Sequence, residues 1–130
     1  MLYVVVALGA AIGGVLRALV SLGTAAVMGS GFLWATLIAN VSGSFAIGLY
    51  AALTSPGGRV LAGPRQRQFI MTGILGGFTT FSIFSLETLR LLHANDIPSA
   101  GLNVGVSVAA WLTAVTLGYS AGLRLNGRHE

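Results

Sequence analysis

The residues best suited to bind an ion lie between positions 73 and 87. The stretch begins as an apolar helix and then carries Gly76, Gly77, Thr79 and Thr80 around one phenylalanine. Such a run is a poor helix former, so it predicts a local break whose freed carbonyl and amide groups can form an ion site. A glycine contact, with the threonines bonded back to the preceding turn, is the alternative. The stretch alone is compatible with both.

Two aromatic rings follow the predicted break. Phe81 and Phe84 are three residues apart and therefore share a face if the helix resumes. An aromatic ring has a positive edge, so rings presented edge-on can contact a small anion without a full positive charge. Ordinary packing or contact with lipid is the commoner use of phenylalanine in an apolar helix, and it stays open here.

A polar stripe marks the second apolar region. Thr36, Asn40 and Ser44 recur at intervals of four and so lie on one face of a helix. The Asn40 amide can donate two hydrogen bonds to an anion, or it can tie two helices together. A weaker copy of the pattern is formed later by Asn103 and Ser107, after which the next position on that face is a tryptophan, Trp111.

Few ionisable residues interrupt the apolar regions. Arg17 shares a helix face with Gly9, Gly13 and Ser21. Its guanidinium either faces a polar mouth, where it attracts anions, or extends to lipid headgroups. Glu87 and Arg90 are three residues apart, and this spacing predicts a local ion pair.

The elements that must position these residues follow from composition. Of 130 residues, 55% are hydrophobic and 8% are charged, and residues 18–58, 68–86 and 97–123 carry no charge. Each run is long enough to cross a hydrocarbon core of about 30 Å. We therefore predict an all-α membrane protein, a single transmembrane domain over residues 1–130 with turns at 28–31, 56–64 and 95–96. Its four helices are expected at about 2–27, 32–54, 67–92 and 98–124.

Glycine is the second compositional signal, with 19 residues in the chain. Small residues let membrane helices approach closely, since lipid offers no hydrophobic drive for their association. Gly-x-x-x-Gly spacings occur at Gly9/Gly13, Gly73/Gly77, Gly101/Gly105 and Gly118/Gly122. Four short helices enclose little interior, so a conduction path through this protein calls for a second copy of the chain.

The net charge of +4 comes from arginine, and the chain has no cysteine. The arginines are scattered at predicted helix ends, which favours phospholipid headgroups as their partners and not nucleic acid. If the chain ends and the loop between helices 2 and 3 share one side, the positive-inside rule puts both termini in the cytoplasm. That side carries Arg59, Arg65, Arg67, Arg124 and Arg128, against Arg90 and Arg17 on the other.

Three motifs together resemble the bacterial CrcB/Fluc fluoride channels, over essentially the whole chain. They are Gly13-Gly-Val-Leu-Arg17, Trp34-Ala-Thr-Leu-Ile-Ala-Asn40-Val-Ser-Gly43-Ser-Phe45, and the most specific of them, Gly76-Gly-Phe-Thr-Thr-Phe81-Ser-Ile-Phe84-Ser-Leu-Glu87.

The resemblance implies an antiparallel, dual-topology homodimer in the bacterial cytoplasmic (inner) membrane. It implies passive fluoride export through two pores per dimer, and a structural sodium ion held at the dimer centre by carbonyls of a broken helix 3. The sodium ligands would be the carbonyls of Gly76 and Thr79, and Arg17 and Glu87 would line a vestibule. The pore would be lined by Thr36, Asn40, Ser44, Phe81, Phe84 and Ser107.

Two features depart from this pattern. Trp111 stands where a second hydroxyl after Ser107 is expected, and the arginine bias gives no support to dual topology. The main rival is a small dual-topology, proton-coupled multidrug exporter. Such a transporter needs a titratable carboxylate deep in the membrane, but Glu87 lies toward the end of helix 3 and Asp96 lies in a loop. An enzyme is disfavoured because the spans carry no set of catalytic residues.

Overall fold

The computed structural model describes residues 1–29 and 33–127, and throughout these ranges the regular structure is helical. Four helices are long and apolar enough to cross a membrane, which confirms the predicted all-α, four-span architecture. They cover Leu2–Met28, Trp34–Leu53, Pro64–His93 and Ile97–Asn126. The predicted start of helix 2 at residue 32, half of the turn at 28–31, and Arg128 lie outside the described residues.

The third span is composite, whereas the other three are single helices. Its parts differ in hydrogen-bonding pattern, with a π-helical segment before the glycine pair. In chain order the elements are α1 (Leu2–Met28), α2 (Trp34–Leu53), α3 (Pro64–Arg67), the π-helical segment Gln68–Leu75, α4 (Gly76–Phe78), α5 (Phe81–His93) and α6 (Ile97–Asn126).

Helix starts follow familiar sequence signals. Pro64 occupies the first turn of α3, where its missing N–H costs nothing. Asp96 caps α6, its Oδ1 accepting the Ser99 N–H at 3.2 Å. These signals place the third and fourth spans close to the predicted positions.

The helices pack as two pairs, and glycine permits both contacts. α1 lies against the π-helical segment and α4, while α2 lies along α6. A Cβ atom on Gly9 would lie 2.7 Å from the Phe69 carbonyl oxygen and 2.9 Å from Gly73 Cα. Gly118 likewise abuts the backbone of Phe45. Two predicted glycine pairs, Gly9/Gly13 and Gly73/Gly77, thus belong to one interface.

The Gly101/Gly105 pair has a different environment. A Cβ atom on either residue would meet no atom within 4 Å. This face of α6 is therefore not used for packing within the chain.

The buried apolar residues are mostly alanines, and the large apolar side chains point outward. Ala39 and Ala52 have no exposed surface, whereas Leu8, Leu22 and Leu112 are each at least 60% exposed. This distribution suits a protein whose outer surface contacts lipid and not water.

The connection between α2 and α3 is held against the end of α6. Asn126 donates through Nδ2 to the Ala52 carbonyl at 2.8 Å, and its Oδ1 accepts the Arg59 N–H at 3.0 Å. The Arg67 guanidinium donates to the Thr54 carbonyl at 3.1 Å. The arginine-rich loop and the end of α6 consequently lie at the same end of the molecule.

Candidate functional site

Backbone conformation changes between α4 and α5. Thr79 has φ −81° and ψ 156°, and Thr80 has φ −148° and ψ 124°, so both residues are extended. Thr80 caps α5, its hydroxyl oxygen accepting the Ile83 N–H at 3.2 Å. The chain thus passes through two non-helical residues at the glycine- and threonine-rich run.

Asn40 of α2 binds this extended segment through its whole amide. Its Nδ2 donates to the Thr80 carbonyl at 2.8 Å, and its Oδ1 accepts the Thr80 N–H at 2.7 Å. The side chain is 5% exposed. Asn40 therefore satisfies a buried peptide group that the helix leaves unpaired, and one of its two amide hydrogens remains available to another acceptor.

The same hydrogen bonds redirect two helical donors. In a continuous helix the Thr80 N–H would donate to the Gly76 carbonyl and the Ile83 N–H to the Thr79 carbonyl. The Thr80 N–H donates instead to Asn40 Oδ1, and the Ile83 N–H donates to the Thr80 hydroxyl oxygen. The carbonyls of Gly76 and Thr79 lose their helical donors, and such oxygens suit a small hard cation.

Carboxylate clusters offer no alternative cation site in residues 1–29 and 33–127. No group of three or more His, Cys, Asp or Glu side chains is placed to hold a metal ion there.

A cleft of about 310 Å³ opens beside the extended segment. It brings together five of the predicted site residues, which are Asn40, Ser44, Gly76, Thr79 and Phe81. Gly43, Ile47, Leu75, Thr80 and Trp111 complete the lining. Two of the three residues of the α2 stripe and the middle of the third span therefore line one cleft.

Phe81 and Phe84 contact each other but lie in different environments. Their ring centroids are 5.5 Å apart with planes tilted by 49°. Phe81 is 70% exposed and lines the cleft, whereas Phe84 is 6% exposed. Phe84 meets Trp111 in an edge-to-face arrangement with centroids 4.8 Å apart. The two rings are adjacent, as their spacing predicts, without being equivalent.

Glu87 lies apart from the cleft. Its Oε1 accepts a hydrogen bond from the Thr36 hydroxyl at 2.7 Å, which joins α5 to α2. Its Oε2 is buried without a hydrogen-bond partner among the described residues. The predicted pairing with Arg90 is present as a charge interaction along α5, while the hydrogen bond of the carboxylate is made to α2.

Ser107 belongs to a network between α5 and α6. Its hydroxyl donates to Asn103 Oδ1 at 3.4 Å, and Asn103 Nδ2 donates to Thr88 Oγ1 at 2.9 Å. Thr88 in turn donates to the Phe84 carbonyl at 2.9 Å. The network thus reaches the backbone of Phe84, the buried one of the two phenylalanines.

Arg17 is separate from both groups. It lies one turn beyond the buried Gly13 on the same face of α1 and is partly exposed. Arg17 makes no hydrogen bond to another described residue, so no contact within one chain supports its predicted vestibule role.

The roles of two site residues were missed by sequence reasoning. Thr80 is both the cap of α5 and the backbone partner of Asn40, and Thr88 supports Asn103. Thr80 directly precedes the resumed helix, and threonine is a preferred residue at a helix N-cap, so its capping role could have been predicted. Nothing in the local pattern marks Thr88, because its role depends on the packing of α5 against α6.

Comparison with known proteins gives consistent results. The chain matches the model of the CrcB-like protein, Camphor Resistance (CrcB) family over residues 4–119. It is 53% identical over 125 residues to fluoride-specific ion channel FluC 1 of Rhodopseudomonas palustris strain BisB18, covering 96% of this chain and 89% of the relative. It is 54% identical over 124 residues to FluC of Paramagnetospirillum magneticum, covering 95% and 97%.

A third relative, FluC of Opitutus terrae, is 52% identical over 125 residues, covering 96% of this chain and 95% of the relative. These relatives are named as ion channels and not as enzymes. Since the family model and the relatives span nearly the whole of this four-span membrane protein, the chain belongs to the CrcB family.

Proposed function

We propose that this protein is a fluoride channel that lets fluoride leave the cytoplasm passively. The names of its relatives supply the ion, since each is called a fluoride-specific ion channel. The observation that carries the proposal is the cleft beside the extended segment, where an amide, hydroxyls and the exposed ring of Phe81 line one cavity in the middle of an apolar span. The inner membrane of a bacterium is the proposed location.

The cleft offers groups suited to a dehydrated anion. One Asn40 amide hydrogen is not used by Thr80, and Ser44 makes no hydrogen bond to another described residue. The positive edge of Phe81 supplies a further weak contact. In a narrow path these donors replace water around a small anion, and they fit a larger halide less well.

The cleft also supports a homodimer. It is open in one chain, and Phe81 is 70% exposed beside buried polar groups. Polar backbone at membrane depth is tolerated where protein or a water-filled cavity covers it, and not against lipid. We propose that a second, antiparallel copy covers this face and that two fluoride pores result.

Dual topology has a direct test because the chain lacks cysteine. A single Gly127→Cys variant places a thiol at the exposed end of α6. In sealed vesicles, half of the chains should react with an impermeant maleimide from outside and the other half only after lysis. Labelling of all chains from one side would mean that they insert in parallel.

A structural sodium ion is the proposed partner of the break in helix 3. The carbonyls of Gly76 and Thr79 would hold it, since their helical donors are redirected to side chains. When bound, the ion supplies positive charge near a buried anion path. The chain's own contribution is to hold the carbonyls in place, which the two Asn40 hydrogen bonds do from α2.

Fluoride efflux from liposomes containing this protein alone tests the proposed function. Vesicles loaded with potassium fluoride and treated with valinomycin should release fluoride to an electrode, while vesicles loaded with potassium chloride should not release chloride. Equal release from protein-free vesicles, or equal release of both halides, would contradict the proposal.

A proton-coupled exporter makes a different prediction. Among the described residues Glu87 is the acidic side chain within a span, and it is paired with Thr36. In the rival function Glu87→Gln would abolish transport driven by a proton gradient. In a channel, fluoride efflux needs no proton gradient. Efflux through the Glu87→Gln protein should likewise proceed without one.

A further inference from the structure

The indole of Trp111 carries a hydrogen-bond donor with no acceptor. Its Nε1 atom is buried and has no hydrogen-bond partner among residues 1–29 and 33–127. The side chain lines the cleft with Asn40, Thr80 and Phe81. Buried N–H groups are almost always paired, so this one calls for an explanation.

The neighbouring polar groups on α6 do not provide the acceptor. Ser107, one turn earlier, donates to Asn103, and Asn103 donates to Thr88. None of these side chains accepts a hydrogen bond from the indole of Trp111. An indole N–H only donates, so its missing partner must be an acceptor and cannot be a cation.

The surroundings of the indole are those of an anion path. Phe84 packs edge-to-face on Trp111 with centroids 4.8 Å apart, and Phe81 follows at 5.5 Å from Phe84. No acidic side chain lines this cleft. Phe81 and Trp111 line the cleft while Phe84 is buried behind them, so a small anion that passes Phe81 comes next to the indole.

We propose that the Trp111 indole N–H donates a hydrogen bond to the transported anion beside Phe84. Trp111 would then be an anion-binding residue, with the indole serving where a hydroxyl was expected. The inference rests on the proposed function, because it assumes that fluoride traverses the cleft. The competing explanation is an N–H directed at the face of the Phe84 ring, which would make Trp111 a packing residue.

Nuclear magnetic resonance can observe this donor directly. The full-length protein, labelled with ¹⁵N-tryptophan in nanodiscs, should show the indole signals of Trp34 and Trp111, assigned with Trp34→Phe. Replacing sodium chloride by sodium fluoride at constant ionic strength should move the Trp111 N–H signal downfield and leave the Trp34 signal in place. A Trp111 signal that ignores fluoride while the protein conducts it would overturn the proposal.

Efflux measurements supply the second readout. Trp111→Phe retains an aromatic ring without the N–H, and replacement by benzothienylalanine retains the bicyclic shape with sulfur in place of N–H. Both should slow fluoride efflux about tenfold or more, as expected for a lost hydrogen bond to a charged group. Parental efflux in the benzothienylalanine protein would overturn the assignment alone, whereas an absence of fluoride efflux from the parent protein would overturn the proposed function with it.

Discussion

Two polar regions of this molecule use the same residue types in different ways. On α2, Asn40 binds both the N–H and the carbonyl of Thr80, so a side chain completes the backbone of another helix. Between α5 and α6, Asn103 binds the side chains of Thr88 and Ser107. The first asparagine sustains the local fold, while the second belongs to a network of side chains on two intact helices.

The difference teaches which substitutions can separate conduction from folding. An unpaired peptide group in a membrane cannot turn to water, so loss of Asn40 affects both stability and the cleft. A side chain in the second network can rotate toward another partner when its neighbour is removed. The following substitutions test whether the two regions differ in this way.

The largest effect is expected for Asn40→Leu. It removes both partners of the Thr80 peptide group, and each unsatisfied group costs about 1–3 kcal/mol. It also removes a donor from the proposed fluoride path, so efflux should fall about a hundredfold or more. Thermal unfolding and fluoride efflux of the purified protein measure the two losses separately.

Ser44→Ala is the matched control for Asn40→Leu. Ser44 lies one turn away on α2 and lines the same cleft, but it makes no hydrogen bond to another described residue. Its replacement should leave the melting temperature unchanged. An Asn40→Leu protein as stable as Ser44→Ala would show that the Thr80 peptide finds another partner.

The two rings come next. Phe81→Leu should slow fluoride efflux about tenfold or more, which corresponds to about 1.4 kcal/mol of added barrier, because leucine has no positive edge to offer. Phe84→Leu should slow efflux as well but should also lower the melting temperature, since Phe84 is buried against Trp111. Similar stability losses in both variants would mean that the second copy buries Phe81 as firmly as this chain buries Phe84.

How much of this arrangement the sequence predicted depends on how far apart along the chain the interacting residues lie. The apolar runs predicted four spans, and the glycine and threonine run directed attention to residues 76–80. The link between Asn40 and Thr80 was not predicted, because it joins residues 40 positions apart and depends on how α2 meets the third span. The hydrogen-bond partner of Glu87 was missed for the same reason, since spacing along one helix shows only Arg90 while tertiary packing presents Thr36.

Gly43→Ala should have an intermediate effect on stability, because it disturbs the extended segment from the neighbouring helix α2. An added Cβ would collide with Cγ2 of Thr79 and lie 3.3 Å from Cδ1 of Phe78. We expect a stability loss of about 1–3 kcal/mol, as for overpacking in a core. If sodium binds as proposed, its stabilising effect relative to a large organic cation should shrink in this variant, because the Thr79 carbonyl is displaced.

Gly14→Ala is the control for that substitution. A Cβ atom there would meet nothing within 4 Å, and alanine favours the helix by up to about 1 kcal/mol. Its melting temperature should therefore stay constant or rise, with the sodium effect intact. If Gly43→Ala keeps the full sodium effect, the carbonyls beside Thr79 do not hold the ion.

The smallest effect is expected for Ser107→Ala. The hydrogen bond from Ser107 to Asn103 is long at 3.4 Å, so its loss should change stability by less than about 1 kcal/mol. Fluoride efflux should fall about two- to fivefold if the hydroxyl turns toward a passing anion, a barrier change of at most about 1 kcal/mol. Combining Ser107→Ala with Asn103→Ala isolates the coupling between them.

Losses of efflux that add independently in the double variant would place both side chains on the path. A stability loss as large as that of Asn40→Leu would show that this network, too, sustains the fold.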